Sequence, residues 1–582
     1  MSAVTPLPAP RVEVRRAVQA RDPRDLEARL VAEARAPAAL RRALARVAAR
    51  MVAMRGWERL GSARSGDYAV ERVGISGREL RDLAAVGRAL GGLPALDAAF
   101  CAGEIGWTQL RLLCRVATPA DQGEWLALAR GLTARALARE VRAVNRRASE
   151  AISIDSEGDE EERVGVVLRL SRRARARWWS ARQVASQVAG HALSHGSFAE
   201  VLAAEVFSGV PLEDTGDDSR ERETRQVEGH EGKRPRSARF PNRRVSPAPR
   251  DPFIDSLERD LDTADAFELD RRLRQAVQME ARALARVARG LDEVVAWGLH
   301  RDLGFRSIDV YADERLGMAP SRARALLRIE RAARVCAPLR AALAEGRISW
   351  VQAQALVPVL IEPAAARQRE AWIAHTQRVS VRRLGDDVER ALALGEFAPP
   401  PLEPTGAASD PDLDPAGRQT GASARLEKES ERLFFRAVPE VAQLFRAVLV
   451  TVQRRLGRIR GRPCRQSDAL EAMLDHALAA WRPGKRTRRD YAVFERDGWR
   501  CTAPGCTSYR DLHRHHIVFR SGCGSNQHAN LTTLCWWHHQ CGIHQYVLRC
   551  TGTAPDGLRF ELGLRSDGPP LAVYRSGEVK VV

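Results

Sequence analysis

The sequence lacks any apolar run approaching the ~20 residues that a membrane span requires. Its first residues, MSAVTPLPAPRVEVRR, also lack the apolar segment of a signal peptide. We therefore expect a cytoplasmic protein without membrane contact, whose cysteines stay reduced.

Large apolar residues are almost absent from two internal stretches, 213–252 and 396–424. Such segments cannot bury enough surface to offset the entropy lost on ordering. We therefore predict a disordered linker over 209–262 and a disordered insertion over 396–424.

Positive charge is in excess, with a formal net charge of +19 at pH 7 and a pI near 10.3. This balance favours a polyanionic partner, most simply nucleic acid. The signal is weak alone, because much of the arginine is matched by Glu and Asp on helix faces. At 582 residues the chain is also too long for one core.

The body of the chain is a duplication. The segments YAVERVGIS (68–76) and YADERLGMA (311–319) align at an offset of 243 residues, which also relates Trp107 to Trp350. Leucine and alanine recur at helical spacing in both halves, with Arg and Glu between them. An offset of 243 residues is far longer than the repeat length of a solenoid, so the chain is predicted to contain two copies of one helical domain.

The predicted class is therefore mainly α, with a small C-terminal cassette that contains strands. The predicted segments are a first helical copy over 20–208, the linker over 209–262, a second copy over 263–480, the cassette over 485–550 and a β tail over 551–582.

Each copy contains two helices joined by a glycine corner, as in LGMAP at 316–320. One interpretation is a helix-turn-helix that enters a DNA groove. The other is a tight corner between two core helices, with the arginines solvated outside. Corners of this kind are common in all-α domains, so the second interpretation is favoured.

Metal-binding residue types are concentrated near the C-terminus, where residues 512–544 hold seven of the thirteen histidines. The thiols of Cys501 and Cys506 bracket a Pro-Gly turn, and Cys535 and His538 lie three residues apart. Two such pairs separated by a β-hairpin supply the four ligands of a closed zinc site. Cys541 and Cys523 are alternative ligands, and buried free thiols are the alternative to a metal site.

Four further histidines are not needed for the zinc site and are available to bind a second metal ion or to act as a general base. His515 and His516 are adjacent on a predicted strand, where neighbouring side chains point to opposite faces. One can therefore hold a metal while the other faces a substrate. His539 and His544 follow on a predicted helix, and Asn530 can fix the loop before LTTLC through hydrogen bonds to backbone.

These residues carry a resemblance. The adjacent histidines, the Asn before LTTLC and the run HHQCGIH are similar in order and spacing to the HNH (ββα-metal) endonucleases of the zinc-knuckle type. The upstream repeats resemble the helical domain of unknown function that precedes this cassette in many bacterial HNH proteins. His538 stands where many relatives have Cys, and Cys523 interrupts a usually Gly-rich loop.

The resemblance implies hydrolysis of DNA, leaving 5′-phosphate and 3′-hydroxyl ends. It implies that His516 is the general base, and that His515, His539 and His544 hold one divalent ion, Mg²⁺, Mn²⁺, Ni²⁺ or Zn²⁺. The structural ion would be Zn²⁺, and no small-molecule cofactor is expected. Residues 481–550 hold eleven Lys and Arg against four Asp and Glu, a balance that suits a phosphate backbone. Arg514 and Arg520 are candidates for phosphate contact, and the alternative for each is a solvated strand residue.

Two other classes of function are consistent with the sequence. One is a zinc-containing DNA-binding regulator whose cassette no longer cuts, and the other is a scaffold whose helical copies bind a protein. Loss of His516 or of the metal histidines would favour the regulator, and all of them are present.

Overall fold

The computed structural model describes residues 23–154, 164–189, 193–209, 251–401, 431–481, 488–566, 568–575 and 578–581. The chain is mainly helical with a strand-containing C-terminal region, which confirms the predicted class. Most of the predicted linker (210–250) and insertion (402–424) lies outside the described residues. Within the described ranges, no helix combines the length and apolar character needed to cross a bilayer.

The described part of the first copy consists of eleven helices, one π turn and one strand. They are α1 (Pro23–Arg35), α2 (Ala38–Ala53), α3 (Gly56–Arg59), α4 (Ser65–Tyr68) with a π turn (Ala69–Val73), α5 (Gly77–Leu90), α6 (Pro94–Cys101), α7 (Trp107–Leu113), α8 (Gln122–Gly131), α9 (Ala134–Ile154), β1 (Val164–Leu170), α10 (Arg172–Ala189) and α11 (His195–Gly209).

The second copy repeats this order. Helix α12 (Pro252–Glu258) precedes this copy. The elements of the copy are α13 (Ala266–Trp297), α14 (Leu299–Asp302), α15 (Ile308–Arg315), α16 (Pro320–Val335), α17 (Ala337–Ala344), α18 (Trp350–Leu360), a 3₁₀ turn (Pro363–Gln368), α19 (Arg369–Thr376), α20 (Val381–Leu394), β2 (Glu431–Ala437), α21 (Pro439–Arg460) and α22 (Gln466–Trp481). Helix α13 begins 243 residues after α1 and spans the equivalents of α1 and α2. Helices α16, α17 and α18 begin 243 residues after α5, α6 and α7.

The C-terminal region contains helix α23 (Arg488–Arg496) and the hairpin of β3 (Leu512–His516) and β4 (Leu531–Cys535). A π-helical turn (Trp537–Ile543) follows the hairpin, where the sequence predicted a helix. The tail is an antiparallel sheet of β5 (Leu548–Thr553), β6 (Gly557–Leu562), β7 (Ala572–Arg575) and β8 (Glu578–Val581).

The two copies are interleaved rather than strung in series. Strand β1 of the first copy pairs antiparallel with β2 of the second, with Val167 opposite Phe434. Their inner faces share one core with α10, α11, α21 and α22. The core of the first copy also takes in Leu269 and Leu273 of α13. Neither copy therefore completes its apolar core from its own residues alone.

The glycine corners of the two copies lie in the interface between them. The corner at Gly317 packs against Gly106, and its carbonyl accepts a hydrogen bond of 3.0 Å from the Thr108 hydroxyl. The equivalent corner at Gly74 packs against Ser349. These contacts support the interpretation of a core corner over that of a helix-turn-helix.

A buried ion network crosses the same interface. Arg41 contacts Glu79 and Glu280, and Arg322 contacts the same two carboxylates. Burial alone would raise the pKa of Glu79, but the Arg322 and Arg41 guanidiniums outweigh it and lower that pKa to about 2. Because position 322 is position 79 plus the offset of 243, equivalent sites carry opposite charges. The first copy therefore pairs favourably with the second copy, whereas two identical first copies would bring like charges together at this position.

Two segments predicted as disordered are partly ordered. Residues 251–262 include α12, whose Leu257 is buried and whose Glu258 accepts hydrogen bonds from Arg42. Residues 396–401 are also described, and the Phe397 carbonyl accepts from the buried Trp372 indole at 2.8 Å. A few apolar residues thus anchor the edges of both polar segments, which the overall composition does not reveal.

The corner at Gly317 yields a stability prediction. Its φ is +60°, and an added Cβ would lie 2.9 Å from the Gly106 Cα atom. We expect Gly317→Ala to lower the free energy of unfolding by about 2–4 kcal/mol, through backbone strain plus overpacking. Gly346 has φ +72° but open space around its Cβ position, so Gly346→Ala should show the smaller cost of strain alone. Urea denaturation of both variants measures the difference, and equal losses would contradict a tight interface.

Candidate metal centre and histidine cluster

The segment that carries Cys501 and Cys506 is hydrogen-bonded onto strand β4. The Thr502 amide donates to the Thr533 carbonyl at 2.8 Å, and the Thr533 amide donates to the Asp497 carboxylate at 2.8 Å. The Cys501 amide donates to the Ser508 carbonyl at 2.8 Å, which closes the turn between the two cysteines. The turn is thereby held against the strand that ends in Cys535.

Four side chains converge at this point. The ligand atoms of Cys501, Cys506, Cys535 and His538 all lie within 4.8 Å of one another, and the four residues are buried. Among the described residues, no other group of three or more potential ligands meets this criterion. The structure therefore brings together the four residues that the sequence singled out for zinc.

The spacing of these atoms tests whether a metal fits. The His538 Nδ1 atom lies 3.5 Å from the Cys501 sulfur and 3.3 Å from the Cys535 sulfur. In a tetrahedral zinc site, Zn–S bonds of about 2.3 Å and Zn–N bonds of about 2.0–2.1 Å place sulfur and nitrogen about 3.5 Å apart. The cluster can hold a metal ion of this kind, and three soft thiolates with one imidazole suit zinc.

Electrostatics in the cluster favour a cation. Hydrogen bonds from Cys501 and Cys506 hold the pKa of Cys535 well below its usual value. Burial alone would lower the pKa of His538, but Cys506 and Cys535 outweigh it and raise that pKa to about 10. A buried thiolate needs a neighbouring positive charge, which a bound metal ion supplies.

The alternative ligands named from the sequence are not in this cluster. Cys523 is exposed, Cys541 is half-buried, and neither belongs to the four-residue group. All ten cysteines lie in described residues, and all of them are free thiols there.

Both helical copies contact the cysteine cluster. The first copy supplies the Gly61 carbonyl, which accepts a hydrogen bond of 3.3 Å from His538 Nε2, so that Nδ1 faces the sulfurs. The second copy supplies Arg382, whose guanidinium donates to the carbonyls of Cys501, at 2.8 Å, and Cys506. The Glu71 carboxylate of the first copy accepts from the Arg382 amide at 2.8 Å. The cassette therefore contacts both helical copies at its cysteine cluster.

A second group of histidines lies on the β3–β4 hairpin and the π turn. The ring centroids of His515 and His539 are 5.3 Å apart, and those of His539 and His544 are 5.0 Å apart. Phe519 borders the group, stacking on His544 at 5.7 Å. The three histidines predicted to hold the catalytic ion thus lie together on one side of the hairpin. Their ligand atoms are less closely grouped than those of the cysteine cluster.

The environment favours the neutral form of the His515 and His539 imidazoles. Burial, followed by the charges of His539 and His544, lowers the pKa of His515 to about 3. Burial, followed by the charge of His513, lowers the pKa of His539 to about 4. The buried His515 Nε2 atom has no hydrogen-bond partner. Neutral imidazoles with an unsatisfied nitrogen suit coordination of a divalent ion.

His516 differs from His515, as expected for neighbours on a strand: His515 is buried and His516 is half-buried. The His516 Nε2 atom lies 2.9 Å from the Asn526 Oδ1 atom. Since a carbonyl oxygen only accepts, the neutral imidazole carries its proton on Nε2 and its lone pair on Nδ1. The amide of Asn530 fixes the loop: it accepts from the Val518 amide at 2.8 Å and donates to the Ser525 carbonyl at 2.8 Å.

Sequence reasoning missed two members of the site. His513 Nδ1 lies 3.1 Å from His539 Nδ1, and Asn526 orients His516. His513 could have been found, because it is two residues from His515 and alternate strand residues share a face. Asn526 gave no such signal. Arg514 and Arg520 are both exposed beside the hairpin.

No family model matches the chain, and no curated protein or solved structure matches it either.

The cysteine cluster predicts that metal and fold depend on each other. We expect Cys535→Ala to lose the bound zinc and the structure of the cassette, since such sites supply about 10–16 kcal/mol of apparent binding free energy in small domains. The exposed Cys523→Ala variant, outside the cluster, should keep both. Metal content by mass spectrometry and circular dichroism measure the two outcomes. Retained zinc in Cys535→Ala would exclude this ligand set.

Proposed function

We propose that the chain is a metal-dependent HNH endonuclease that hydrolyses phosphodiester bonds in DNA. The observation that carries the proposal is the division of histidines across one hairpin. His515, His539 and His544 gather on one side, with centroids 5.0–5.3 Å apart, while the half-buried His516 is oriented by Asn526. A hairpin and helical turn with this division correspond to the parts of a ββα-metal site.

His516 would act as the general base. Its Nδ1 atom keeps a lone pair because Nε2 donates to Asn526, and the side chain is accessible to solvent water. It would take the proton of a water aligned with the scissile phosphorus. A positioned base of this type contributes about 10²–10⁴-fold to rate.

His515, His539 and His544, on the other side of the hairpin, would hold the catalytic ion. When bound, a divalent ion there supplies a Lewis acid that offsets charge on the phosphate oxygens and the leaving 3′ oxygen. His513 would support His539 through their 3.1 Å contact. Asn530 would keep the loop between the strands in place, so that His516 and the histidine group hold their spacing.

The base assignment is tested by plasmid nicking. We expect His516→Ala to lower cleavage at least ~10²-fold in Mg²⁺ or Mn²⁺, because the proton acceptor is lost. Zinc content and circular dichroism should be unchanged. His528→Ala, which alters an exposed histidine of the same cassette, serves as the control. Cleavage near the wild-type rate in His516→Ala would contradict the role of His516.

The two metal sites should separate during chelation. The closed cysteine site should retain zinc more tightly than the histidine group, which must leave positions for water and phosphate. In an EDTA titration, nicking activity should disappear at a lower chelator concentration than the circular dichroism signal of the fold. Added Mg²⁺, Mn²⁺ or Ni²⁺ should then restore activity. Loss of activity and fold at the same concentration would point to one metal serving both purposes.

A further inference from the structure

Helix α10 of the first copy packs its basic and aromatic side chains against the cassette. The Arg173 guanidinium donates to the Glu495 carboxylate at 2.8 Å and lies over the Trp499 ring. The Arg175 guanidinium lies 4.4 Å from the centre of the Tyr509 ring. This contact is separate from the one at the metal cluster, and it places α10 beside the segment that leads into strand β3.

Two arginines from different parts of the chain meet at one indole ring. The Arg510 guanidinium carbon lies 3.9 Å from the Trp179 ring centre, and that of Arg182 lies 4.6 Å from it. Arg510 is exposed, while Arg182 is half-buried and donates to the Leu193 carbonyl. Stacking on tryptophan thus holds two positive charges together, one from the helical body and one from the cassette.

The electrostatics around Trp179 are consistent with an anion site. Burial and then the charge of Arg510 lower the pKa of Arg182, and Asp511 only partly offsets this. Burial and then the charges of Arg182 and Arg510 lower the pKa of His195 to about 4. Like charges held this close repel one another, and a bound polyanion would relieve the repulsion.

The position of the pair relates it to the hairpin. Arg510 precedes His513 by three residues, so their Cα atoms lie no more than about 11 Å apart. The imidazole of His513 contacts that of His539 at 3.1 Å. A phosphate bound by Arg510 would therefore lie within a few nucleotides of one bound at the histidines, since phosphates on a strand follow every 3.4 Å of helix axis.

We propose that Arg182 and Arg510, stacked about Trp179, bind the phosphate backbone of DNA beside the histidine cluster. The substrate is then held jointly by the first helical copy and the cassette. This inference rests on the proposed nuclease function and extends it by assigning a substrate-binding role to the helical body. Contacts of this kind position the duplex and carry no base specificity.

The test is the salt dependence of DNA binding by the full chain. The probe is a fluorescein-labelled 30-base-pair duplex. The parent protein for all variants is the zinc-loaded full chain with His516→Ala, so that the duplex is not cleaved during the measurement. We expect Arg510→Gln to weaken binding about five- to tenfold at 0.1 M salt and to lower the slope of log K against log salt by about 0.9, as for one lost phosphate contact. Arg182→Gln should behave alike. Arg328→Gln, which removes the same charge from an exposed position on α16, should leave affinity and slope unchanged.

The outcomes are distinguishable. If the duplex binds and the Arg510 and Arg182 variants match the parent or the Arg328 control, the arginine pair is not a substrate site, although the nuclease proposal stands. If the parent does not bind the duplex and the wild-type chain does not nick plasmid, both proposals fail. Arg510→Gln should fold normally, because Arg510 is exposed and stacks on Trp179 at the protein surface. The thermal melting point of this variant should therefore equal that of the parent, so that a loss of DNA binding cannot be attributed to misfolding.

Discussion

The convergence of three thiols and one imidazole is the constraint on which the rest of the C-terminal region depends. It joins the turn at Cys501 and Cys506 to the end of β4 and to the π turn, so three loops meet at one point. The histidines proposed for catalysis lie on the strand and turn that this cluster holds together. A small region depends on such a link, because a small apolar core alone contributes only a few kcal/mol.

The same cluster fixes the cassette to the helical body. Both nitrogens of His538 are used, one toward the sulfurs and one toward the Gly61 carbonyl of the first copy. Arg382 of the second copy satisfies two carbonyls of the cysteine turn. Since both copies take part, the position of the hairpin is set by the whole body.

Duplication within one chain explains why the two copies contact the cassette through different residues. Equivalent positions can diverge once they belong to one gene product, as Glu79 and Arg322 show by meeting as opposite charges across the interface. The Glu71 position illustrates the same divergence. Glu71 binds the start of helix α20 next to the cassette, while its equivalent Glu314 has its pKa raised by burial and then by Asp313. One copy thus carries the cassette contact and the other does not use its equivalent carboxylate in this way.

Local patterns in the sequence were sufficient for the helical class, the repeat at 243 residues and the four residues of the cysteine cluster, because each depends on spacing along the chain. The extent of the polar segments was less accurate, since Leu257 and Phe397 find distant partners that composition does not indicate. The interleaving of the copies, the seat formed by Gly61 and Arg382, and the arginines around Trp179 were decided only by tertiary structure. Apart from Arg182, which lies three residues from Trp179, they join residues that lie more than a hundred positions apart. No periodicity in the sequence encodes which of many similar apolar faces and arginines will meet.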